Sequence, residues 1–336
     1  MISRRQFLVT AAAAAPAVVT SACASREEPW DRSAYRKPAT SRVLIARAAD
    51  YGIDLADLVG HAIRQFGLAV AGKRVVLKPN LVEFDPANVI NTHPALVGAA
   101  IDAFRRLGAH EVVVAEGPGH RRDNEYLLTA SGLWDLLRRR DVQYVDLNFD
   151  DVRPLRAGSR FTRLGQLMLP RTVLEADLLV SMPKLKTHHW AGVTLALKNL
   201  FGVIPGAVYG WPKNVLHWAG LNESVVDIQS TIPVPQFAII DGIVGMEGNG
   251  PIQGQAKHAG VLVFGDDLVA TDAMAARLMN LEPSRVRYLA MADRFLGNTA
   301  LERITQIGES LETVQQNFRL IEAFRHLAAS ERVGAS

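Results

Sequence analysis

The stretch LLVSMPKLKTHH, residues 178–189, places a short apolar run directly before a cluster of polar residues. The same arrangement recurs in RVVLKPN at 74–80, EVVVAEGPGH at 111–120 and FAIIDG at 237–242. Longer segments with the hydrophobic period of a helix lie between the apolar runs, a pattern typical of parallel strands joined by crossover helices. The sequence therefore predicts an α/β fold with a mostly parallel sheet and helices on both faces.

The same periodicity gives bounds for the individual elements. A helix over 95–107, for example, places Leu96, Ala100, Ile101 and Phe104 on one stripe. The predicted strands are 42–46, 74–78, 111–115, 143–147, 178–181, 237–241 and 261–264. The predicted helices are 55–66, 95–107, 126–139, 221–231, 268–281, 284–293 and 311–329.

The composition excludes several classes of protein. With 49% apolar and 21% charged residues over 336 positions, the chain has the usage of a globular protein with ample core. Its single cysteine excludes a disulfide scaffold, a cysteine-based zinc site and an iron–sulfur cluster, since each needs two or more cysteines. The formal net charge is only +3, so the balance of charge does not suggest a nucleic-acid-binding surface.

The N-terminus has the pattern of an export signal. Residues 1–24 combine a paired-arginine start, an apolar Ala/Val run too short to span a bilayer, and small residues suited to cleavage. The segment SRRQFL at 3–8 matches the twin-arginine pattern. The sequence therefore predicts export through the twin-arginine machinery to a periplasmic or other extracytoplasmic location. That route carries folded proteins and allows a cofactor to be loaded beforehand.

Two interpretations of Cys23 stay open. The segment TSAC at 20–23 is similar to a lipoprotein cleavage box with Thr in place of a large aliphatic residue. In that case acyl chains would anchor a soluble domain to a membrane. In the alternative, ACA at 22–24 is a small-x-small cleavage site and the cysteine is discarded. Residues 25–41 are predicted to be a polar tether, and 42–336 a single α/β domain or two lobes that divide near 150–175.

The polar clusters are predicted to form one ligand-binding rim. In open parallel sheets the carboxyl ends of the strands and the helix N-termini that follow them form the crevice that receives ligands. Polar residues follow the strands at 78–80, 116–120, 183–199 and 241–254. The sequence therefore predicts that these four segments are loops that converge on one edge of the sheet.

The segment 181–206 carries three lysines among apolar and small residues. Burying unpaired cations costs several kcal/mol per ion, so Lys184, Lys186 and Lys198 are predicted to bind carboxylate or phosphate oxygens. The alternative is a solvated loop whose lysines point to water. Five further cofactor- or ligand-binding candidates come from the strand ends and the glycine-rich segment: Lys78, Asn80, Asn199, Gly248 and Gly250.

Acid–base or metal chemistry is assigned to His188 with Asp241 or Glu247. Because His188 and His189 are adjacent, at most one of them can point to a given site on an extended backbone. His93 and His217 could join from other segments, but no tight His spacing identifies a metal site, so a metal remains unassigned.

The glycine-rich segment DGIVGMEGNGPIQG, residues 241–254, has five glycines directly after an apolar strand. Glycines allow successive backbone amides to form a nest for an anion, which would place Gly248 and Gly250 in a binding loop. The segment is neither a Walker loop nor a dinucleotide-binding fingerprint. The alternative interpretation is a long flexible turn.

Seven short segments occur in one order along the chain: KPN at 78–80, THP at 92–94, EGPG at 116–119, PKLKTH at 183–188, TLALKNLFG at 194–202, DG at 241–242 and GMEGNGP at 245–251. Taken together, these segments resemble the family known as domain of unknown function 362. Some relatives carry an added iron–sulfur module, for which this chain lacks the cysteines. The resemblance itself implies no reaction.

A more distant similarity concerns nickel-dependent lactate racemases. The segment HHWAGVT at 188–194, followed by Lys198 and Pro205-Gly206, is similar to the segment in which those enzymes tether a nickel-pincer nucleotide to a lysine. The spacing from Lys198 to Pro205 is longer here, and Leu195-Ala196 replaces a glycine pair. The similarity implies a cationic segment that holds an anionic ligand near histidine acid–base groups.

The sequence thus predicts an exported protein that binds a small anionic ligand, a metal or an organic cofactor at this rim. As an enzyme it would catalyse proton or group transfer on a small carboxylate or phosphorylated compound. The alternative is a non-catalytic exported protein that binds a solute or cofactor.

Overall fold

The computed structural model describes residues 27–119 and 124–329. The predicted signal segment, Cys23 and His120 lie outside the described residues. The strands are β1 (Ser41–Arg47), β2 (Arg74–Pro79), β3 (Glu111–Glu116), β4 (Tyr144–Asp146), β5 (Val152–Arg156), β6 (Gln166–Pro170), β7 (Leu178–Met182), β8 (Lys184–His188), β9 (Gly192–Thr194), β10 (Gln236–Asn249), β11 (Gln253–Gly265) and β12 (Ile304–Gly308). The helices are α1 (Leu55–Phe66), α2 (Pro94–Arg106), α3 (Asn124–Ala130), α4 (Leu133–Arg139), α5 (Arg171–Leu174), α6 (Ala196–Asn199), α7 (Gly206–Tyr209), α8 (Asn214–Trp218), α9 (Leu221–Thr231), α10 (Leu268–Leu278), α11 (Arg287–Ala292) and α12 (Leu311–Val314).

The central sheet confirms the predicted α/β class. Its strand order is β12-β1-β11-β10-β7-β2-β3-β4, and every neighbouring pair is parallel except β1 with β11 and β10 with β11. Strand β8 continues alongside β10 in parallel, and β9 pairs with β8 in antiparallel. Since β2, β3 and β7 are parallel neighbours, their carboxyl ends reach the same edge of the sheet.

Helices cover both faces of the sheet. In β2, Val75 and Leu77 belong to the core beneath α1 and α2, whereas Val76 belongs to the opposite core with α9 and α10. Successive side chains of a strand point to opposite faces, so apolar runs such as RVVL are buried on both sides. No helix in the described part of the chain has the length and hydrophobicity that a transmembrane span requires.

The prediction that 183–189 and 241–254 are loops is wrong. Residues Lys184–His188 form β8, and the glycine-rich segment forms the later part of β10, the turn that follows it and the start of β11. Glycine is needed there for close packing: a Cβ at Gly245 would lie 2.5 Å from the Leu185 carbonyl oxygen, and one at Gly250 would lie 2.0 Å from the Thr187 carbonyl oxygen. The two amides predicted to form an anion nest are bonded within the protein instead: the Gly248 amide donates to the Arg319 carbonyl at 2.8 Å, and the Gly250 amide donates to the Gly248 carbonyl at 3.0 Å.

Two of the predicted helices also differ from the structure. The helix at 126–139 is interrupted at Gly132, whose φ of +75° is left-handed, and splits into α3 and α4. The helix at 311–329 ends after one turn of α12, because the following backbone bonds to other elements. The Phe318 amide donates to the Met279 carbonyl, and the Gly248 amide donates to the Arg319 carbonyl.

The described part of the segment 25–41 packs against the domain rather than leading away from it. The Trp30 ring stacks on the Phe295 ring with 4.5 Å between centroids, and only 7% of Trp30 is exposed. The Tyr35 hydroxyl donates to the Ser230 carbonyl oxygen at 2.8 Å. Two buried or half-buried aromatic rings thus hold this segment against the domain. A prediction based on the overall polarity of the segment misses their contribution.

Candidate functional site

A cavity of about 400 Å³ opens at the carboxyl ends of β2 and β3. Its wall is built from the ends of these strands, from β8 and α6, and from the tip of the β10–β11 hairpin. Four lysines line it, together with two carboxylates, three histidines and several apolar side chains. The convergence predicted from the sequence is therefore observed, although the segments at 183–189 and 241–254 contribute as strands and as a hairpin tip.

Lys78 and Glu116 form a buried ion pair in the cavity wall. Lys78 Nζ lies 2.7 Å from Glu116 Oε2 and also donates to Asn199 Oδ1 at 3.1 Å. Burial lowers the pKa of Lys78, and the neighbouring carboxylate of Glu116 opposes that shift. Gly202 allows this packing, since a Cβ there would lie 2.0 Å from Glu116 Oε1. Each charge of the pair therefore has its counterpart within the protein.

Lys186 and Lys213 are fully buried and have only carbonyl partners among the described residues. Lys186 Nζ donates to the Ile90 carbonyl at 2.8 Å and to the Pro251 carbonyl at 3.3 Å. Lys213 Nζ donates at 2.7 Å to the carbonyl of residue 117 and at 3.1 Å to that of residue 201. Burial lowers the pKa of Lys186 well below its usual value, and that of Lys213 to about 7. Both ammonium groups thus lie in the wall without a carboxylate partner.

Lys198 extends this cationic wall from α6. Its Nζ lies 4.5 Å from the centroid of the Phe201 ring and has no hydrogen-bond partner among residues 27–119 and 124–329. Burial, together with the nearby charge of Lys78, lowers the pKa of Lys198 to about 8. The helix that carries it is fixed at its start by Asp272, whose carboxylate accepts the backbone N–H groups of Ala196 and Leu197 at 2.6 and 3.0 Å.

Two polar atoms of the cavity wall are buried without a hydrogen-bond partner in the described structure. They are Asn80 Oδ1 and Thr194 Oγ1, in residues that are only 8% and 3% exposed. Burying such a group without a partner costs about 1–3 kcal/mol, so orphaned atoms of this kind call for an explanation. A ligand in the cavity that offers hydrogen bonds would supply one.

The geometry of His188 does not favour the predicted acid–base role. Its Nδ1 accepts the backbone N–H groups of Trp190 at 3.0 Å and Ala191 at 3.2 Å, which places the ring proton on Nε2. Burial and the nearby Lys198 hold the pKa of His188 well below its usual value. To take up a second proton, the ring would have to give up both backbone contacts. His188 is therefore a fixed Nε2–H donor.

His189 and His217 carry the opposite tautomer. His189 Nδ1 lies 2.7 Å from the Gly250 carbonyl oxygen, and His217 Nδ1 lies 3.1 Å from the Lys213 carbonyl oxygen. A carbonyl can only accept, so each Nδ1 carries the proton and each Nε2 is an acceptor when the ring is neutral. Both rings line the cavity beside Trp190. The lining thus contains both donor and acceptor imidazoles.

Lys184 and Asp241 do not line the cavity. They are neighbours in the β8–β10 ladder and form a buried ion pair, with Nζ 2.6 Å from Oδ2. The Tyr51 hydroxyl donates to Asp241 Oδ1 at 2.8 Å, and the His93 amide donates to Oδ2 at 2.9 Å. The structure therefore separates these two predicted site residues from Lys186 and Lys198.

Glu247 and the two candidate glycines also lie outside the cavity wall. Glu247 Oε1 accepts a hydrogen bond from Arg319 Nε at 2.6 Å, and this ion pair balances the charge of the buried carboxylate. Gly248, with a left-handed φ of +84°, and Gly250 support the hairpin and the His189 ring through their backbones. None of the three is placed for the predicted contact with a ligand in this cavity.

Sequence reasoning missed Lys213 and gave no role to Glu116. Lys213 follows Trp211-Pro212, which indicates a turn, and its φ of +67° is unusual for a lysine. Only the three-dimensional structure shows that this turn folds back over the cavity. Glu116 did stand in one of the polar clusters, but its pairing with Lys78 follows from the β2–β3 register.

A metal centre finds no support in the described part of the chain. Among those residues no group of three or more His, Cys, Asp or Glu side chains is arranged to hold a metal ion. The donor set of the cavity, with its ammonium groups, orphaned polar atoms and imidazoles, is instead suited to an anionic organic group.

The chain is similar to one curated protein and, more distantly, to two solved structures. A thylakoid-associated protein from Synechocystis is 29% identical over 267 residues, which cover 75% of this chain and 77% of that protein. The lactate racemase apoprotein from Thermoanaerobacterium thermosaccharolyticum matches with a TM-score of 0.39 and 16% identity, over 66% of this chain and 54% of that chain. A Thermotoga maritima structural-genomics protein gives a TM-score of 0.33 and 14% identity, over 64% and 55% of the two chains. This chain thus spans about half the length of both solved structures.

The family model named domain of unknown function (DUF362) matches residues 75–277, which contain β2, β3, β7, β8, α6 and the β10–β11 hairpin. All of the elements that build the cavity therefore lie within the matched region, and the chain belongs to the DUF362 family.

Proposed function

We propose that the cavity binds a small organic anion with a carboxylate or phosphate group. The observation that carries this proposal is the surplus of cations in the wall. Among residues 27–119 and 124–329, four lysines line the cavity but only two carboxylates do, Glu83 and Glu116, and Glu116 is already paired with Lys78.

The energetics of the unpaired lysines support the same function. Burial lowers the pKa of Lys213 to about 7 and that of Lys198 to about 8, so these two lysines hold their protons weakly. An anion would stabilise the ammonium forms through charge-assisted hydrogen bonds, and it would give Asn80 and Thr194 access to partners when it carries a hydroxyl or a protonated oxygen.

Proton transfer on the bound anion is the reaction that this lining favours. His188 would donate a hydrogen bond from Nε2 to an anionic oxygen, and the acceptor Nε2 of His189 would take a proton. Asp241 and Glu247 have no direct part in this proposal, because both are held in ion pairs away from the wall. A non-catalytic binding role is the second candidate. It is favoured by the lysines and the orphaned polar atoms, which require only a bound ligand.

The test is calorimetric titration of the purified protein with inorganic phosphate, lactate and succinate, in wild type and in Lys198→Met. Loss of one charged hydrogen bond is expected to weaken binding by at least tenfold, which corresponds to about 1.5–3 kcal/mol. Lys73→Met is the matched control, since Lys73 is half-exposed and lies outside the cavity. Equal affinities in wild type and Lys198→Met, or no binding of any of these anions, would refute the proposal.

Proton transfer can be separated from binding by a second variant, His189→Ala. If the protein is an enzyme, this variant retains anion affinity but no longer exchanges a substrate carbon-bound proton with deuterated water. Unchanged exchange in His189→Ala would exclude His189 as the base. No exchange with any bound anion in wild type would favour the binding protein.

We also propose that the protein is exported by the twin-arginine route, on the basis of the SRRQFL segment at 3–8. Replacing Arg4 and Arg5 by lysine is expected to leave the protein in the cytoplasm, as measured by cell fractionation. Export that persists in this double variant would contradict the assignment. Membrane association of the exported wild type that is lost in Cys23→Ala would indicate lipidation, whereas an exported wild type that is already free of the membrane would indicate that the cysteine is cleaved away.

A further inference from the structure

The cavity wall combines its cations with a larger number of apolar groups. Leu81, Val82 and Ile252 line it together with the rings of Phe201 and Trp190. A site that served only inorganic phosphate or a two-carbon acid would have no use for this apolar lining, because such ligands have little apolar area to bury.

The aromatic groups form a continuous row from the lysines to the surface. Lys198 Nζ lies 4.5 Å from the centroid of the Phe201 ring, and that ring lies 5.1 Å from the ring of His217. The His217 ring in turn lies 5.4 Å from the ring of Trp190. Exposure increases along the row, from 6% at Phe201 to 58% at Trp190.

The helix that carries His217 also has exposed apolar side chains. His217 belongs to α8, whose Val215 and Trp218 are 36% and 81% exposed. Tryptophan at the border between an apolar surface and water is typical of sites that receive a molecule with one polar end and one apolar end.

We propose that the ligand is an amphiphilic anion with a single alkyl chain, whose head group contacts Lys198 and whose chain runs along Phe201 and His217 to Trp190. This inference rests on the proposed function and adds the class of ligand. Charge complementarity fixes the position of the head, and the ring row gives the chain one path to the surface.

The test is a calorimetric series of n-alkyl phosphates, from inorganic phosphate through ethyl and butyl to octyl phosphate, kept below their micellar concentrations. Each methylene that is buried along the row is expected to raise affinity by about fourfold, the equivalent of about 0.8 kcal/mol. The same series of alkanoates tests a carboxylate head. 1-Octanol, which has the chain without the charge, is expected to bind at least a hundredfold more weakly than octyl phosphate.

Trp190→Ala locates the chain, with Trp134→Ala on α4 as the matched control because Trp134 is 40% exposed and outside the cavity wall. Trp190→Ala should lower the ratio of octyl phosphate affinity to inorganic phosphate affinity by about tenfold, whereas Trp134→Ala should keep the wild-type ratio. Inorganic phosphate binding with no gain along the series would overturn the amphiphile and leave the proposed function intact. Failure of every anion to bind would overturn both. An equal gain in Trp190→Ala and Trp134→Ala would overturn the path along the ring row.

Discussion

Two groups of lysines lie close together in the sequence and differ in how their charge is balanced. Lys184 forms a closed cluster with Asp241 and Tyr51, in which every charged atom has a protein partner within 3.0 Å. Lys186 and Lys198 lie in a cavity wall where their ammonium groups have only carbonyl or ring contacts among the described residues. Burial alone therefore does not identify a functional lysine. The presence or absence of a carboxylate partner separates the two roles.

The largest effect is expected from breaking the closed cluster. Asp241→Asn would leave Lys184 buried without a counter-charge, and removal of one partner of a buried pair typically costs 3–5 kcal/mol. We expect a loss of about that size in the free energy of unfolding, measured by urea denaturation. The double variant Asp241→Asn with Lys184→Met should recover most of it, because neither charge then remains. A loss below about 1 kcal/mol in the single variant would show that Lys184 does not depend on Asp241 for its charge balance.

The second test is the pH dependence of anion binding, which should arise from the lysines of the cavity wall. Lys198 has a pKa of about 8 and Lys213 of about 7 in the unliganded protein, both below the usual value for lysine because of burial. Binding an anion requires the protonated forms, so the protein must take up protons when it binds above these values. We expect affinity for sulfate, whose charge is constant in this range, to fall by about tenfold per pH unit for each such lysine between pH 8 and 10.

Lys198→Met should reduce that slope by up to one proton, whereas Lys73→Met should leave it unchanged. Affinity that is independent of pH from 7 to 10 would contradict the assignment of these lysines to the binding site.

The third test compares stability in the two groups. In contrast to Asp241→Asn, Lys198→Met is expected to leave the free energy of unfolding unchanged or to raise it by about 1 kcal/mol, since it removes a desolvated cation that has no carboxylate partner. The depressed pKa also fixes the sign of the pH dependence. Between about pH 8 and 10.5 the unfolded chain binds more protons at Lys198 than the folded chain, so stability rises with pH in wild type. This rise should be smaller in the variant. A loss above 2 kcal/mol in the free energy of unfolding of Lys198→Met would show that Lys198, like Lys184, makes a stabilising interaction within the protein.

The sequence predicts the strands of the sheet but not which lysines have a carboxylate partner. All seven predicted strands correspond to observed ones, because runs such as RVVL and EVVV are rich in β-branched residues. Strand β8 was missed because its alternation places lysines on a buried face, where a strand normally has apolar residues. The partner of Lys184 depends on the β8–β10 register, which brings Asp241 beside it from 57 residues away.

The cavity was only partly predictable for a similar reason. Six of the candidate residues lie together in the cavity wall: Lys78, Asn80, Lys186, His188, Lys198 and Asn199. The tautomer of His188 was not foreseeable, because it depends on how the backbone turns after β8. The same holds for Lys213, since no pattern in its own segment indicates that the turn closes over the wall.

The smallest expected effect distinguishes a satisfied hydroxyl from an orphaned one on adjacent strands. Thr187 Oγ1 donates to the Gly248 carbonyl at 2.8 Å, whereas Thr194 Oγ1, in the cavity wall, is buried without a partner. Replacement by valine keeps the shape of the side chain and removes the hydroxyl. Thr187→Val should therefore lose about 1 kcal/mol of stability and bind anions normally, because it breaks a bond within the protein.

Thr194→Val should show the reverse. It removes a hydroxyl that has no hydrogen-bond partner among the described residues, so the free energy of unfolding should stay unchanged or rise by up to about 1 kcal/mol. If the hydroxyl serves the ligand, anion affinity should fall by about threefold to tenfold, the size of one hydrogen bond. Stability is measured by urea denaturation and affinity by titration of the same preparations. If both variants lose stability and neither loses affinity, Thr194 is an ordinary core residue, and the orphaned atoms of the wall are no longer an argument for a ligand.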